Sequence, residues 1–375
     1  MYDLLIRNGT VVDGTGKPPF VADVAVKDGR IVEVRPGIDG DAAETIDATG
    51  LLVTPGFVDI HTHYDGQVTW DPLLEPSASH GVTTVIMGNC GVGFAPVRPG
   101  TEQWLIQLME GVEDIPGTAL SEGMTWGWES FPEYLDVLER MPRAMDVGTQ
   151  VPHGAVRAYV MGERGAKNEP ATPDDIAAMA RIVREAIEAG AFGFSTSRTL
   201  AHRAIDGEPV PGTFAAEDEL FGIGEALRAV GRGLYELAPA GAAGEDVVAP
   251  AKEVDWMCRL SAAIDRPVTF ALTQVDAAPT LWRELMDRSL AAVEHGARVY
   301  PQIGARPTGV LIGHQAGNVF RGRPSYDELV PLPFEQRVQA LRDPARRARI
   351  LAEEPSFDNP FAAYMGTQLH RIYAL

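Results

Sequence analysis

The 375-residue sequence is short of several things, and each shortage excludes a class of protein. Cysteine occurs twice, as Cys90 and Cys258, far apart in the chain. A disulfide framework is therefore excluded as the source of stability, and a reducing, cytoplasmic setting is expected. No apolar run reaches the roughly 18 residues of a membrane-spanning helix. The first residues, Met-Tyr-Asp-Leu-Leu-Ile-Arg, show no basic segment followed by the apolar core of a signal peptide. Basic side chains are scarce, with 32 Lys and Arg against 52 Asp and Glu, for a formal charge of −20. That balance argues against a nucleic-acid surface and against anionic membranes. Internal repeats are absent, and the nearest approach to low complexity is the Ala/Gly/Pro-rich stretch 238–250, read as a loop. What remains, 45% hydrophobic and 22% charged residues, belongs to a globular chain able to bury a large core.

Residues 1–54 carry short β-rich pieces between turn signals. Leu4-Leu5-Ile6-Arg7 runs into Asn8-Gly9, Thr10-Val11-Val12 into Asp13-Gly14, and the apolar run from Val21 to Val26 into Asp28-Gly29. Asn-Gly and Asp-Gly tolerate positive φ and close hairpins, so this part predicts a small β-sandwich. From 55 to 375 short apolar strands alternate with helical stretches, the rhythm of a parallel α/β sheet. Strands are expected near 57–61, 83–88, 146–151, 192–196, 233–238, 267–272 and 298–303, seven of the eight in a (β/α)8 TIM-type barrel. The clearest helix spans 173–189, with Thr172 as cap, Pro173 at its first position, Asp174 and Asp175 in its first turn and Gly190 as its stop. Residues 92–145 form a long connection rich in Trp, Gly and Pro, which either shapes a barrel mouth or packs its aromatics on to the barrel. After 307 come loops and a helix near 334–353 but no eighth strand, so the barrel reads as incomplete.

Chemistry concentrates at the end of the first barrel strand. Side chains two apart on a strand point the same way, so His61 and His63 can aim two neutral imidazoles at one ion. Cys90 ends the next strand and is followed by Gly91-Val92-Gly93, which lets its backbone approach closely. A thiolate there can ligate zinc or bridge two ions.

Pro55-Gly56-Phe57-Val58-Asp59-Ile60-His61-Thr62-His63 resembles the first-strand signature of the metal-dependent amidohydrolase superfamily. Gly81-Val82-Thr83-Thr84-Val85-Ile86-Met87-Gly88-Asn89-Cys90-Gly91 is similar to its D-aminoacylase branch, the N-acyl-D-amino-acid deacylases, in which the cysteine ending strand two is a metal ligand. The resemblance implies a (β/α)8 barrel with a composite β-sandwich completed by C-terminal strands, one or two divalent ions, zinc by preference, and hydrolysis of C–N amide bonds. The ion polarises the amide carbonyl and acidifies water, and a carboxylate moves the proton. Three departures stand out. The family's strand-five and strand-six histidines have no counterpart in 233–239, which holds Glu236, or in 267–276, which holds Gln274 and Asp276. The family's strand-eight aspartate has none either, because Asp343 falls in a helical stretch and Asp358 precedes Pro360. The catalytic carboxylate is thus unassigned, and the chain reads as truncated relative to its family.

His61, His63 and Cys90 are accordingly the expected metal ligands. Asp59, His153, Arg198, Glu236 and Gln274 are expected as substrate contacts or supporting partners. For His153 a structural role weighs equally, and for Arg198 the choice lies between a substrate carboxylate and a salt bridge under its loop. His80, His202, His295, His314 and His370 read as structural or loop residues, although His202 follows strand four and can line the mouth. The expected partner is a small N-acyl amino acid or related amide. A cyclic amidase of the hydantoinase or dihydroorotase type and a non-catalytic metal-binding protein are the alternatives. The former usually carries a strand-three lysine, which 146–153 lacks. Exposed edges of an unclosed barrel favour self-association.

Overall fold

The computed structural model describes residues 1–113, 115–304, 309, 311–315, 318–356 and 366–373. The chain divides into two compact units. The first comprises Met1–Ile60, Glu75–Val85 and Ala144–Asp146. Its sheet holds β1 (Tyr2–Val11), β2 (Phe20–Lys27), β3 (Arg30–Arg35), β4 (Ala42–Asp47) and β5 (Leu52–Val53), in the order β3-β2-β1-β4 with β5 also on β1. The β1–β2 and β2–β3 pairs are antiparallel, whereas β4 and β5 run parallel to β1. Asp28 and Gly29, at φ 51° and 69°, make the expected tight turn between β2 and β3. Asn8-Gly9 does something else. Asn8, at φ 59°, lies inside one continuous strand and shifts its register between Ile6 and Gly9. The Asn8 N–H donates to the buried Asp23 carboxylate at 2.8 Å, so the pair makes a bulge and not a hairpin. Leu5, Ala25 and Ile38 pack beneath the sheet, while Ile31, Val32, Val34 and Leu52 stay exposed. Among the described residues this unit is a single sheet layer. It also contains β6 (Phe57–Asp59), which pairs parallel with the beginning of β7 (Val82–Met87).

The second unit takes up the last residues of β7 and carries β8 (Asp146–Pro152), β9 (Gly193–Ser197), β10 (Leu234–Ala238), β11 (Val268–Ala271) and β12 (Val299–Gln302). The parallel sheet has the order β12-β11-β10-β9-β8-β7-β6, each strand beside its predecessor in sequence. That serial order, with α-helices in every connection after β7 and two short 3-10 turns between β6 and β7, is the (β/α)8 architecture minus one strand among the described residues. The connections carry α1 (Glu102–Glu113), α2 (Gly117–Gly123) and α3 (Phe131–Arg140) after β7, and α4 (His153–Met161), α5 (Glu163–Ala166) and α6 (Pro173–Ala189) after β8. Single helices α7 (Glu217–Val230), α8 (Ala249–Ile264) and α9 (Leu281–Val293) follow β9, β10 and β11. Every residue of β9 is buried, as befits a strand covered on both faces. In α6 the Thr172 and Asp175 side chains cap each other's backbone N–H groups, and Met179, Val183, Ala186 and Ile187 form the buried stripe.

After β12 come α10 (Pro324–Asp327), α11 (Phe334–Leu341) and α12 (Pro344–Ala352). The single helix expected near 334–353 is broken because Pro344 cannot continue a helical hydrogen-bond ladder. Asp343 caps α12, accepting the Ala345 N–H. Asp358 lies outside the described residues.

Candidate metal centre

The centre is built on the turn after β6 and the turn after β7, locked together by a buried amide. The Thr62 N–H and hydroxyl both donate to the Ile86 carbonyl, at 3.0 and 2.9 Å. The Asn89 side-chain NH2 reaches the Thr62 and Ile86 carbonyls, each at 3.0 Å, and its oxygen accepts from Gln150 at 2.7 Å. Thr62 sits between His61 and His63, so this clamp fixes both imidazoles. The next turn delivers Cys90. Gly88, Cys90 and Gly91 all have positive φ, 74°, 55° and 70°. A Cβ on Gly88 would lie 2.2 Å from the Gln150 carbonyl oxygen, and one on Gly91 would lie 2.9 Å from the Ser197 nitrogen. Cys90 itself occupies a left-handed conformation that costs a non-glycine residue about 1 kcal/mol. It is held there by its N–H, which donates to Glu236 Oε2 at 2.9 Å, and by the Gly91 N–H on Ser195 Oγ at 3.0 Å.

These turns bring His61 Nε2 to 3.2 Å from Cys90 Sγ. His61 Nδ1 lies 2.7 Å from Gln302 Oε1 at the end of β12. A proton on Nδ1 satisfies that contact and leaves the Nε2 lone pair facing the sulfur, the pattern of a histidine ligand oriented by an outer partner. Donor atoms of His61, His63 and Cys90 all lie within 4.8 Å of one another. A second group, Cys90, Glu113 and His202, meets the same limit and shares the sulfur. Glu113, the last residue of α1, has Oε1 3.3 Å from His63 Nε2, and His202 Nδ1 lies 3.0 Å from Ser197 Oγ.

The electrostatics of the cluster suit a cation. Burial, then the neighbouring His61, lowers the His63 pKa to about 3, so its ring is neutral. Burial raises Asp65 and Glu236 each to about 7. Burial and then the charges of Glu236, Glu113 and Asp65 push the Cys90 thiol well up. His63 Nδ1, Asp65 Oδ2 and Glu236 Oε1 are buried without a hydrogen-bond partner. Carboxylates crowded on a thiol beside the His61 and His63 rings form a donor set that a divalent ion would satisfy.

The other expected residues separate. Glu236, fully buried on β10, stands at the cluster, with Oε1 3.8 Å from His61 Nδ1. Asp59 ends β6 and is partly buried. His153 is buried with both nitrogens engaged, Nδ1 with Thr196 Oγ1 at 2.8 Å and Nε2 with Glu219 Oε1 at 2.9 Å, the contacts a structural role requires. Arg198 is also spoken for. Its Nε donates to both Glu253 oxygens, at 3.1 and 2.8 Å, and its Nη1 to the Ala215 carbonyl at 2.8 Å, which is the salt-bridge alternative. Gln274 is exposed beyond β11 and makes no hydrogen bond to the cluster. Glu113, His202, Asp65 and Gln302 join the centre without having been singled out as site residues by sequence. For His202 and Gln302 the available signal was position just after, or at the end of, a barrel strand. For Glu113 there was none. A cavity of about 580 Å³ between α1, α4, α5 and the 204–211 loop is lined by Trp104, Tyr159 and Lys167, and by none of the candidate ligands.

The chain is similar to several known proteins. The amidohydrolase family model matches residues 44–356. A D-aminoacylase of Alcaligenes xylosoxydans xylosoxydans is 29% identical over 382 residues, 95% of this chain and 73% of that protein. An N-acyl-D-aspartate deacylase of the same organism is 33% identical over 233 residues, 62% of this chain and 42% of its own length. The structure of N-acyl-D-glutamate deacylase from Bordetella bronchiseptica, complexed with zinc and a phosphonate inhibitor, matches with a TM-score of 0.66 at 27% identity, over 82% of this chain and 59% of that one. The chain thus spans less than two thirds of the length of several of the proteins it matches. No described helix is long and apolar enough to cross a membrane. The chain belongs to the metal-dependent amidohydrolase family, on its D-aminoacylase branch.

Proposed function

We propose that this chain is the barrel portion of a zinc-dependent hydrolase that cleaves the amide of small N-acyl amino acids, of N-acyl-D-amino-acid deacylase type. The observation that carries the reading is the meeting of His61, His63 and Cys90 within 4.8 Å beside buried carboxylates. Zinc bound there supplies a Lewis acid and an acidified water. The chain's own residues do the rest. Gln302 orients His61, and Glu236 holds the Cys90 backbone through Oε2 while turning Oε1 towards His61. That places a carboxylate where a proton can be taken up and handed on. In this reading 1–54 contributes to a composite sandwich, 55–375 forms the barrel, Asp59 supports the strand end, and a buried thiolate ligand suits the cytoplasm. The exposed Phe57 and Val58 on β6 and the exposed Tyr300 on β12, the two outermost barrel strands, favour a homo-oligomer. The lack of lysine in β8 speaks against the cyclic amidases.

The test is amine release from N-acetyl-D-amino acids, their L enantiomers and a cyclic amide by zinc-loaded protein. Turnover of the D series, with kcat reduced about 100-fold or more in Glu236→Gln at unchanged zinc content, supports the proposal. Zinc bound without turnover of any substrate makes the protein a binding module and refutes the hydrolase.

A further inference from the structure

We propose that the cavity between α1, α4, α5 and the loop after β9 is a separate binding site, for a free α-amino acid with an apolar or aromatic side chain. It encloses about 580 Å³, within the roughly 300–1,000 Å³ of small-molecule sites, and none of the candidate metal ligands lines it. The site stands on its own geometry. Only its meaning rests on the hydrolase reading, since a deacylation of the proposed kind releases a molecule of this class.

The walls of the cavity are built from fixed contacts. In 203–209 the chain doubles back on itself, with Arg203 bridging Pro209 antiparallel and the Ala204 N–H donating to the Glu208 carbonyl at 2.8 Å. This hairpin lies on α1 at Gly111, where a Cβ would come within 2.4 Å of the Ala204 carbonyl carbon. Asn168 fastens its other flank, donating to the Pro209 carbonyl at 3.0 Å and accepting the Gly212 N–H at 2.9 Å. The lining is amphipathic. Leu105, Leu108 and Pro211 are buried and give an apolar floor, and the half-buried Trp104 and Tyr159 add aromatic surface. Such a lining takes up an apolar or aromatic side chain.

The exposed part of the lining carries charges of both signs. Arg98 lies over the Tyr159 ring, 5.4 Å from its centroid, and Lys167 follows α5. Among the described residues neither forms an ion pair, although Glu163, Asp206 and Glu208 line the same cavity, themselves without a cationic partner. In a chain of net charge −20, two cations and three carboxylates left unpaired in one cavity are groups available to a ligand. The cations suit a carboxylate and the acids an ammonium group. A ligand of single charge meets repulsion from part of this lining, whereas a zwitterion answers both signs.

The experiment is calorimetric titration of the protein with D- and L-phenylalanine, 3-phenylpropionate and phenethylamine, the last two each lacking one of the charges. At least one phenylalanine enantiomer is expected to bind wild type, and the two singly charged probes about 10-fold or more weaker. Trp104→Ala and Arg98→Gln/Lys167→Gln should each weaken phenylalanine binding about 10-fold or more. The latter changes only exposed side chains, so it decides if circular dichroism shows Trp104→Ala misfolded. His61→Ala/His63→Ala should bind phenylalanine as wild type does. No binding to wild type, binding unchanged in the folded cavity variants, or binding lost in the double-histidine variant overturns the site. Equal binding of the singly charged probes overturns the zwitterion. Binding with the expected pattern in a protein that releases no amine from N-acetyl-D-amino acids leaves this site standing and refutes the hydrolase.

Discussion

Cys90 shows how one residue can be legible and its neighbours not. The His-x-His pair and the cysteine after a strand are local signals, because strand periodicity and a glycine turn are written in adjacent residues. Glu113 and His202 carry no such signal, since they reach the sulfur through the packing of α1 and of the loop after β9. His153 and Arg198 look like site residues in sequence, but their buried partners Glu219 and Glu253 are distant in the chain. Two outcomes follow at this scale. Gln302→Ala removes the group that holds the His61 tautomer and is expected to weaken zinc binding by about 10–100-fold, read by competition with a chromophoric chelator. Glu219 contacts both His153 and the fully buried Arg157. Against the upward push of burial, its hydrogen bond to His153 and the charge of Arg157 lower its pKa to about 2. Its folded pKa is depressed, so its contribution is complete above the ordinary value of 4.5 and is lost as pH falls from there towards 2. Glu219→Gln strands the Arg157 cation and should cost about 3–5 kcal/mol at neutral pH, with the gap to wild type closing in acid. Urea denaturation at several pH values checks it, and a pH-independent difference would contradict it.

Among the elements, those with complete local grammar are readable and those decided by partners are not. The helix α6 has its cap, N1 proline, acidic first turn and terminal glycine in sequence, and it folds between those marks. Asn8-Gly9 carries the same turn chemistry as Asp28-Gly29 but folds as a bulge, because positive φ at Asn8 is compatible with either and the buried Asp23 carboxylate selects one. The break between α11 and α12 was written at Pro344 and is where helical periodicity alone misleads. The turn from β7 to Cys90 depends on Gly88, whose positive φ and close approach to the Gln150 carbonyl leave no room for a methyl group. Gly88→Ala is expected to destabilise by more than the roughly 1 kcal/mol of the left-handed backbone alone, whereas Gly100→Ala, with nothing within 4 Å, incurs only the backbone cost. Thermal unfolding of the pair decides it, and equal losses would remove the steric part of the account.

For the whole molecule, strand order was the most readable property, since a serial parallel sheet is what seven strands alternating with helices make. How the barrel continues past β12 was not, because the sequence after 307 reads as loops and a helical stretch with no strand ending in aspartate. The charge of −20 also gave little guidance, as the groups that matter are a handful of buried carboxylates whose collective effect is set by proximity and not by count. The account as a whole stands on one statement, that these buried acids, two imidazoles and one thiol exist to hold a metal. The measurement that tests it most directly is the zinc content of the purified protein beside Cys90→Ser. At least one tightly held zinc per chain in wild type, falling several-fold in Cys90→Ser with the fold intact, is the result the account predicts. Wild type without zinc after loading, or a Cys90→Ser protein that holds as much as wild type, would contradict it.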